Sequence, residues 1–480
     1  MSDHGISVDC RTTSKRYPGI SGAVLPVLAC LALTVAASEV VAQNLSNLDG
    51  QTGLQARTGA SVQSTCGQLA AAGTNRNGAS ATEDLFARCQ DMVHTANAIN
   101  GSGATTFSLG LDAAGANAAL QQIAPEEAAS QGTNSTEFRN AQGQAIGGRL
   151  AALRGGARGF SVSGLNIQGD DGRMLSLNEL LRPAGQSGMA AGDEGADWLS
   201  GRLGAFVSGS IGTGSSDASS EEAGYDVDFY SLTVGADYRI TDSASAGLAL
   251  GYAGAKSDFD NNGGDMKSTA YNIIGYGTVS LTDRIFVDGS LGYARNDFDI
   301  SRRIVYANVN RTANGDTDGD EFSASLGGGM DFFAGGVTIT PTLRADYLGS
   351  KIDGFTENGA QGLNLQFGDQ SLRSITGSAG VEASYAISTN WGVVVPQARL
   401  AWVHEFDDDS RAITVQYAAD PNGNQFSVIT DKPDRDYVDL GLSVSTVLPG
   451  GNNAFVDYST VLGHSSITSH MLTLGLRIEF

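Results

Sequence analysis

The last residues of the chain alternate strictly between apolar and polar or small side chains. In HMLTLGLRIEF, residues 470–480, every second position is apolar. These apolar positions are Leu472, Leu474, Leu476, Ile478 and Phe480. The stretch YSLTVGADYRI, residues 230–240, repeats the pattern. Because neighbouring side chains of a β-strand point to opposite faces, both stretches are predicted to be strands with one apolar and one polar face.

Twelve segments with this two-residue period follow one another along the rest of the chain. They are predicted at 198–211, 225–241, 243–258, 266–281, 284–300, 320–334, 337–351, 372–388, 391–407, 434–448, 452–463 and 467–480. Many exceed the ~9–11 residues that a tilted strand needs to cross a bilayer. Short turns such as 241–242 alternate with long polar links such as 408–433, a layout typical of outer-membrane barrels. The sequence therefore predicts an all-β fold, a 12-stranded antiparallel transmembrane β-barrel with both ends on the periplasmic side.

Aromatic residues and prolines give two further expectations for the barrel. Five aromatic residues near predicted strand ends are expected to form girdles at the membrane interface: Tyr225, Phe229, Phe259, Phe298 and Phe406. Pro341 and Pro396 fall inside predicted strands. Since proline has no backbone N–H to donate, a bulge or bend is expected at each.

Residues 1–42 are predicted to be a secretory signal peptide. A basic start is followed by an apolar run at residues 20–37, and Val40 and Ala42 take the −3 and −1 positions of a cleavage site before Gln43. A transmembrane anchor is disfavoured because a polar chain follows the run. Lipidation at the cysteine inside the run is disfavoured because the run continues past it.

Export to an oxidising compartment favours a disulfide between Cys66 and Cys89. Cys89 lies on the apolar face of a predicted helix, and the bridge would join it to an earlier helix near residues 61–72. Residues 43–110 are accordingly predicted to be a short, mainly helical passenger region. Residues 111–197 are predicted to be a helical linker, pore plug and connector, ahead of the barrel domain at 198–480.

The polar faces of the predicted strands carry full charges, which are expected to line the barrel lumen. The predicted pore-lining residues are Asp237, Arg239, Arg344, Asp346, Glu382 and Arg399. A polar helix at residues 138–153 could lie among them. It would be held by Arg139, Arg149 and, just beyond it, Arg154, facing lumen carboxylates. The alternative is that the lumen charges only solvate a water-filled pore.

Composition and charge exclude several functions. A formal net charge of -23 leaves no basic surface for nucleic acid. The 64 glycines and the charged fraction of 17% are typical of extended β proteins rather than helix-rich enzymes. No cofactor or metal site is predicted. The acidic stretch that begins at Asn314 resembles a calcium loop, but Ser325 stands where such a loop requires a bidentate carboxylate.

Several motifs together resemble the autotransporter β-domain of Gram-negative type V secretion. They are WLSGRLGAFVSGSIGTG, YSLTVGADYRI, VDGSLGYARNDFD, VPQARLAWVHEF, FVDYSTVLG and HMLTLGLRIEF, spread over residues 198–480. The resemblance implies a twelve-stranded barrel in contact with outer-membrane lipid and lipopolysaccharide. It implies export by the Sec translocon and a terminal strand, residues 472–480, that the barrel-assembly machinery reads. It also implies a helix that threads the pore and connects to an exported passenger at the cell surface.

Three functions stay open on these residues. The first is an autotransporter that translocates or displays a short N-terminal passenger. The alternative is a stand-alone barrel, porin-like or adhesin, with residues 43–197 periplasmic or plugging the pore. The third is an outer-membrane hydrolase, in which His464 and His470 could reach aspartates of neighbouring loops. The chain is predicted not to be an enzyme, because no G-x-S-x-G motif accompanies His94, the one histidine of the passenger region.

Overall fold

The computed structural model describes the chain from residue 44 onward, with gaps. The described residues are 44–154, 159–161, 166–168, 174–176, 202–334, 336–390, 392–447 and 453–477. The predicted signal peptide at 1–42 and most of the predicted connector at 157–197 lie outside them, so both stay predictions.

Within these residues, twelve long strands form one antiparallel sheet that closes on itself. The barrel strands are β1 (Leu203–Ser216), β2 (Tyr225–Arg239), β3 (Ala244–Phe259), β4 (Gly264–Ser280), β5 (Ile285–Tyr306), β6 (Val309–Met330), β7 (Val337–Ile352), β8 (Gln370–Tyr385), β9 (Gly392–Glu405), β10 (Asp436–Val447), β11 (Asn453–Leu462) and β12 (Ile467–Arg477). Each pairs with the next, and β12 pairs with β1. Closure gives every strand a hydrogen-bonded neighbour on both sides, so that its backbone N–H and C=O groups need no partner from the lipid. The predicted 12-stranded transmembrane barrel is confirmed.

The two ends of the barrel differ in the length of their connections. Residues 240–243 and 281–284 are short turns at one end, while residues 353–369 and 406–435 form long links at the other. Short turns of outer-membrane barrels lie in the periplasm and long loops outside the cell. We therefore call the end with the short turns the inner end and the end with the long links the outer end.

Strand β5 shows where the membrane ends. Along its outward face Val287, Leu291 and Tyr293 are exposed, with Leu291 62% exposed, and Arg295 and Asp297 follow on the same face. A strand of 22 residues is about 70 Å long, far more than a tilted crossing of an apolar band about 25 Å tall requires. The outer half of β5 therefore stands above the membrane.

The aromatic residues predicted as interfacial girdles do not form them. Tyr225, Phe229, Phe259 and Phe298 are buried on the inner face of the barrel, and only Phe406 is exposed, at 65%. Their strands extend above the membrane, where the inner face meets a folded helical region instead of water. This part of the prediction was wrong because alternation assigns a side chain to a face but does not say what that face contacts.

The two strand prolines interrupt a ladder without shifting its register. Pro341 stands opposite Val381 in an unbroken ladder with β8. On the side of β7 that faces β6, the pairing stops at Thr342 and resumes at Ile339 in the same register. Pro396 likewise stands in an unbroken ladder with β10, while the ladder toward β8 stops at Gln397 and resumes at Val394 in the same register. Because proline lacks the N–H that one ladder needs, a gap forms there, and the expected bulge is absent.

Four α-helices precede the barrel in the part of the chain that the structure describes. They are α1 (Gly53–Ala71), α2 (Ala81–Asn97), α3 (Ala113–Ile123) and α4 (Ser130–Arg154). Polar side chains cap the first three, since Thr52, Ser80 and Asp112 each accept a hydrogen bond from the first turn. Among the described residues, none of the helices has the length and apolar character of a membrane span.

Short elements complete the described structure. The 3-10 turns are Asn44–Ser46, Glu126–Ala129, Asp260–Asn262 and Gln361–Leu363, and a π turn spans Ala98–Ser102. Leu365–Phe367, Ala412–Tyr417 and Gln425–Ile429 form a three-stranded sheet in the outer loops. Phe332–Ala334 follows β6 and pairs with β7, and Ile387–Thr389 follows β8 and pairs with β9. Gly159–Ser161 runs parallel to β1, and Asn166–Gln168 pairs with Met174–Ser176.

Residues 44–129, which we call the helical cap, cover the outer end of the barrel. Leu54, Leu85 and Leu120 of the cap belong to one hydrophobic core with Met266 and Phe298 from the inner faces of the strands. The outer loops add backbone contacts, such as the hydrogen bond from the Leu54 N–H to the Ser220 carbonyl (3.0 Å). Cap and barrel therefore share a core that neither completes alone.

The predicted disulfide is not present. Cys66 and Cys89 are both free and buried in the core of the cap. The Cys89 thiol donates to the Phe86 carbonyl (3.2 Å). Burial, followed by the neighbouring Cys66 thiol, raises the pKa of Cys89. A thiol kept protonated in this way is a poor nucleophile for disulfide exchange.

Candidate functional site: the lumen and its helix

Helix α4 runs through the barrel lumen. Near the outer end, Asn134 donates a hydrogen bond to Ser268 of β4 (3.0 Å). Across the lumen, Gln144 donates to Ser459 of β11 (2.8 Å). The last residue, Arg154, contacts a carboxylate beside a short inner turn. Because the partners of α4 come from strands around the barrel, the helix lies inside it, with its N-terminus at the outer end.

A buried ion pair fixes the C-terminal part of α4 to the barrel wall. Arg149 Nε lies 2.6 Å from Asp237 Oδ2, and Arg149 Nη2 lies 2.9 Å from Asp237 Oδ1. Both side chains are almost fully buried, and the Tyr276 hydroxyl donates to the same carboxylate (3.0 Å). Bidentate pairing compensates charges that are far from water.

A second charged cluster lies at the inner end of α4. Arg154 Nη1 contacts Asp288 Oδ2 at 2.6 Å, and Arg344 Nη2 contacts Asp288 Oδ1 at 3.2 Å. The Arg154 guanidinium also stacks over the Phe286 ring, 3.8 Å from its centre. Arg344 donates in addition to Ser325 (2.6 Å). One carboxylate thus holds a wall arginine and a helix arginine together.

The other predicted lumen residues face the space beside α4. Arg139 of the helix lies 3.9 Å from Asp346 of β7. Arg399 of β9 lies 3.6 Å from Asp457 of β11. Glu382 of β8 lines the same cavity. These contacts are longer and more hydrated than the Arg149–Asp237 pair.

Arg239 has a different place from the rest of the predicted set. It lies at the inner end of β2, and its backbone N–H donates to the Arg202 carbonyl (2.8 Å). It is the last residue of its strand, next to a short turn.

Sequence reasoning missed the uncharged contacts of α4. Thr233 donates to Gln142 (2.6 Å), and Asn296 donates to Ser135 (3.3 Å). Small polar residues on the inward face of a strand look alike whether they meet water or a helix. The alternation of side chains predicts which residues face inward, but it does not predict which residue of α4 each of them contacts.

A fully buried salt bridge within the barrel, which sequence reasoning also missed, positions an arginine that contacts the cap. Arg302 of β5 and Glu357 of an outer loop are each 1% exposed and form two hydrogen bonds of 2.9 and 2.6 Å. Arg302 donates further to the carbonyls of Ile123 (3.1 Å) and Leu363 (3.0 Å). This arginine therefore binds the C-terminus of α3 to a strand and a loop.

A second salt bridge joins α2 to β6. Arg311 contacts Asp84 through hydrogen bonds of 2.6 and 2.8 Å, and the Gly362 N–H donates to Asp84 (3.0 Å). Burial alone would raise the pKa of Asp84, but the hydrogen bonds from Arg311 and Gly362 outweigh it and lower the pKa. The carboxylate is thus held ionised in the contact between cap and barrel.

The histidines do not form a hydrolytic triad within the described residues. His464 Nδ1 lies 2.7 Å from Asp434, as the sequence suggested, but Ser465 also bonds to Asp434 (2.8 Å) rather than to the imidazole. His470 pairs with the Tyr458 hydroxyl (2.8 Å) and no aspartate. The described residues contain no group of three or more ligands arranged for a metal ion.

The predicted assembly signal is described in part. Leu472 and Leu474 lie on the outward face of β12 and are 36% and 40% exposed. Leu476 lies within the same strand. Ile478 and Phe480 lie outside the described residues. A role of these five residues in recognition by the assembly machinery stays a prediction.

Comparison with known proteins gives a family match over the barrel. A family model described as "Autotransporter beta-domain" matches residues 205–459. Among solved structures, the translocator domain of the autotransporter NalP from Neisseria meningitidis is similar, with a TM-score of 0.50 and 16% identity. The similarity covers 73% of this chain and 99% of that domain.

Curated relatives include two proteins named as hydrolases. The chain is 29% identical over 259 residues to "Esterase EstA" of Pseudomonas aeruginosa, which is 52% of this chain and 39% of the esterase. It is 25% identical over 254 residues to "Lipase 1" of Photorhabdus luminescens, 52% of this chain and 38% of the lipase. The chain thus spans less than half the length of these relatives.

Proposed function

This chain belongs to the autotransporter β-domain family, and from that premise we propose that its barrel translocates the preceding segment and displays the helical cap at the cell surface. The barrel lies in the outer membrane. The observation that carries the proposal is the path of the chain, which passes through the lumen as α4 and connects the outer end to the inner end.

The two ends of this path support one direction of transport. Ser130 begins α4 below the cap, and Arg154 ends it at Asp288, beside an inner turn. The first barrel strand starts at Leu203, also at the inner end, because Leu203 pairs with Tyr238. Residues before α4 therefore lie across the membrane from the start of the barrel.

The stand-alone barrel with a periplasmic N-terminal region is not favoured. The cap packs on the long-loop end, where Arg302 of β5 donates to the Ile123 carbonyl of the cap, and not on the short-turn end. We further infer that the chain reaches the membrane by the Sec translocon and the barrel-assembly machinery, and that the outer leaflet around it is lipopolysaccharide. Family membership supports these partners.

The barrel domain is a translocator, and we infer that the described cap has no hydrolytic centre. The names esterase and lipase belong to the relatives. The support for this chain is that His94, the histidine of the cap, lies beside the Phe107 ring, with ring centres 5.4 Å apart. In the outer loop after β11, the Ser465 hydroxyl donates to Asp434. Nucleophilic catalysis needs the serine hydroxyl on the imidazole.

Labelling of intact cells tests the proposed display. Asn77→Cys lies on an exposed loop of the cap, and Asp242→Cys lies in an inner turn. A membrane-impermeant maleimide should label Asn77→Cys on intact cells. It should label Asp242→Cys only after the outer membrane is permeabilised. Cys66 and Cys89 are buried and give a low background. Protection of Asn77→Cys on intact cells would overturn the proposal.

A further inference from the structure

The outward, lipid-facing wall of the barrel carries an apolar groove on β4–β8. The groove has a volume of about 610 Å³. A methylene group is about as large as a water molecule, which occupies ~30 Å³, so this volume suits roughly 20 methylene groups, or about one acyl chain. Four small residues on the outward faces of neighbouring strands line it: Gly275, Gly289, Ala324 and Ala345. Four large apolar residues stand around them: Leu291, Leu326, Tyr347 and Ile375.

The strand register makes the groove continuous across the wall. Each small residue stands opposite a large apolar residue of the next strand. The pairs are Gly275 with Leu291, Gly289 with Leu326, Ala324 with Tyr347, and Ala345 with Leu326. Since neighbouring strands lie about 4.8 Å apart, the small residues of four strands form a floor about 15 Å across.

Packing inside the protein does not explain every small residue of this floor. At Gly275 a Cβ atom would have its nearest neighbour at 3.7 Å, which is ordinary van der Waals contact. Ala345 is exposed. Gly289 differs, because a Cβ there would lie 3.1 Å from the Ser325 carbonyl oxygen. Glycine weakens the interior of a strand and often marks the close approach of a ligand.

The groove lies just below the outer boundary of the membrane. On β5, Leu291 is followed on the same outward face by Tyr293 and then Arg295. On β6, Phe322 lies beyond Ala324 toward the outer end, and its ring centre is 6.2 Å from that of Tyr347. Exposed aromatic side chains mark the interface of outer-membrane barrels. The groove therefore meets the acyl chains of the outer leaflet.

Three basic side chains stand beyond the groove toward the outer end: Arg295, Lys351 and Arg373. Each is more than half exposed. Arg373 follows the groove residue Ile375 by two positions, which is about 7 Å along the strand. All three contact aspartates, as in the pair of Lys351 with Asp369 (3.5 Å). Exposed pairs of this kind contribute about 0–1 kcal/mol, so a phosphate group can replace the aspartate.

Shape and charge are both needed to hold a lipid at this place. A groove in hydrocarbon has no hydrophobic driving force, because every lipid-facing surface is equally dry. Retention requires van der Waals contact along an acyl chain and charged contacts at its headgroup. The groove provides the first, and the three basic side chains provide the second. The occupant they fit is a phosphorylated lipid of the outer leaflet.

We propose that the groove on β4–β8 holds one acyl chain of lipid A, the phosphorylated and acylated disaccharide of lipopolysaccharide. A phosphate of the same molecule binds Arg295, Lys351 and Arg373. The inference rests on the proposed function, which places the groove in the leaflet of lipopolysaccharide. It assigns the barrel one tightly held lipid, in addition to the mobile lipids that surround any membrane protein.

Lipid retention by the purified full-length protein tests the proposal. After exchange into detergent, mass spectrometry should find about one lipid A molecule per barrel and little phospholipid. Ala324→Leu with Ala345→Leu fills the groove and should lower the retained lipid A at least several-fold. Ala236→Leu with Ala246→Leu is the matched control, because both alanines are exposed on the wall formed by β2 and β3. Retained phospholipid, no retained lipid, or equal retention by the two variants would overturn the inference.

A smaller substitution avoids dependence on the folding of the filled barrel. Ala345→Cys should react slowly with a thiol reagent while lipid A is bound, and several-fold faster after the lipid is removed. Ala236→Cys should react equally in both states. Cys66 and Cys89 are buried and add little background. A disulfide between two Ala345→Cys barrels, formed in the membrane, would show a second copy in the groove and would also overturn the inference.

The charged contacts are tested by adding lipid A back to the Ala345→Cys protein. Arg295→Gln with Arg373→Gln should raise the lipid A concentration that gives half protection several-fold. Lys256→Gln, an exposed basic residue on β3, is the control and should leave it unchanged. Equal protection by lipid A without phosphates would contradict the charged contacts.

Failure of this inference is distinct from failure of the proposed function. Labelling of Asn77→Cys and Asp242→Cys on intact cells reports the orientation of the barrel, whether or not a lipid is retained. Normal labelling with no retained lipid A would remove the lipid site alone. Labelling of Asp242→Cys on intact cells, with phospholipid in the groove, would remove both.

Discussion

At the scale of single residues, Arg149 and Asp237 form a buried ion pair between α4 and the barrel wall. Each is buried where an isolated charge would be strongly unfavourable, and each is stabilised by the other. The pair positions α4 on the barrel wall more than it adds to net stability, because the cost of removing both charges from water offsets much of their attraction. Removing one partner is a different matter, since the remaining charge stays buried without compensation.

We therefore expect Arg149→Ala to lower the free energy of unfolding by about 3–5 kcal/mol. The measurement is a urea titration in lipid vesicles, followed by electrophoretic mobility of the folded barrel. Arg139→Ala is the control, because its 3.9 Å contact with Asp346 is partly hydrated and should be worth about 0–1 kcal/mol. In the Arg149→Ala, Asp237→Ala double variant, a loss equal to the sum of the single losses would contradict coupling.

At the scale of the element, β5 meets two different environments along its length. In its inner half the apolar side chains, such as Leu291, point outward to lipid. In its outer half, Phe298, Ile300 and Ile304 point inward to the helical cap, while Asp297 points outward to water. The apolar positions therefore change from odd to even numbers within one strand. This change of parity marks the membrane boundary.

The boundary predicts opposite costs for two substitutions on the same face. Leu291→Arg places a charge in the lipid and should cost about 2–4 kcal/mol near the midplane. Asp297→Arg lies above the boundary, faces Asp318 across the ladder, and should change stability by less than about 0.5 kcal/mol. The same urea titration measures both. Equal costs would place the membrane elsewhere on the strand.

At the scale of the whole molecule, the cap and the barrel form one folded unit. The turn between α3 and α4, the last segment of the cap, buries Glu126 and Glu127. Burial, only partly opposed by the hydrogen bond from Gln121, raises the pKa of Glu126 to about 8, and burial raises that of Glu127 well above its usual value. Arg302 lowers both values, while Glu222 and Asp260 face Glu126 and raise its pKa further.

These carboxyls make the docking of the cap depend on pH. The unfolded chain releases the Glu126 proton near pH 4.5, whereas the folded chain keeps it to about pH 8. Stability should therefore fall as pH rises between these values and level off above them. The thermal midpoint of the helical signal at 222 nm should be higher at pH 5.5 than at pH 8.5.

Glu126→Gln is the variant that tests this carboxyl. At pH 8.5 it should raise the midpoint, by roughly 2–4 °C for each kcal/mol recovered. At pH 5.5, only one unit above the pKa of the unfolded chain, the gain should be less than half as large. Glu83→Gln, in the first turn of α2, is the control. A pH dependence that is identical in wild type and Glu126→Gln would contradict the assignment.

Much of the fold could be predicted because a membrane barrel repeats one simple constraint. Twelve alternating segments gave the strand number, and alternating short and long links gave the orientation. For the lumen, Arg149 and Asp237 were both predicted to face the pore, but nothing in the sequence paired them. The girdle residues were assigned wrongly because Phe298 looks the same whether its ring meets lipid headgroups or the side chains of a helical cap.

By itself the sequence determined the closed barrel, since lipid leaves a strand no other way to satisfy its backbone and the two-residue period records that requirement along the chain. Only the tertiary structure decided where the helices lie and which carboxylate meets which arginine. Those features depend on contacts between residues more than a hundred positions apart, such as Ser135 and Asn296, and no local pattern records such contacts.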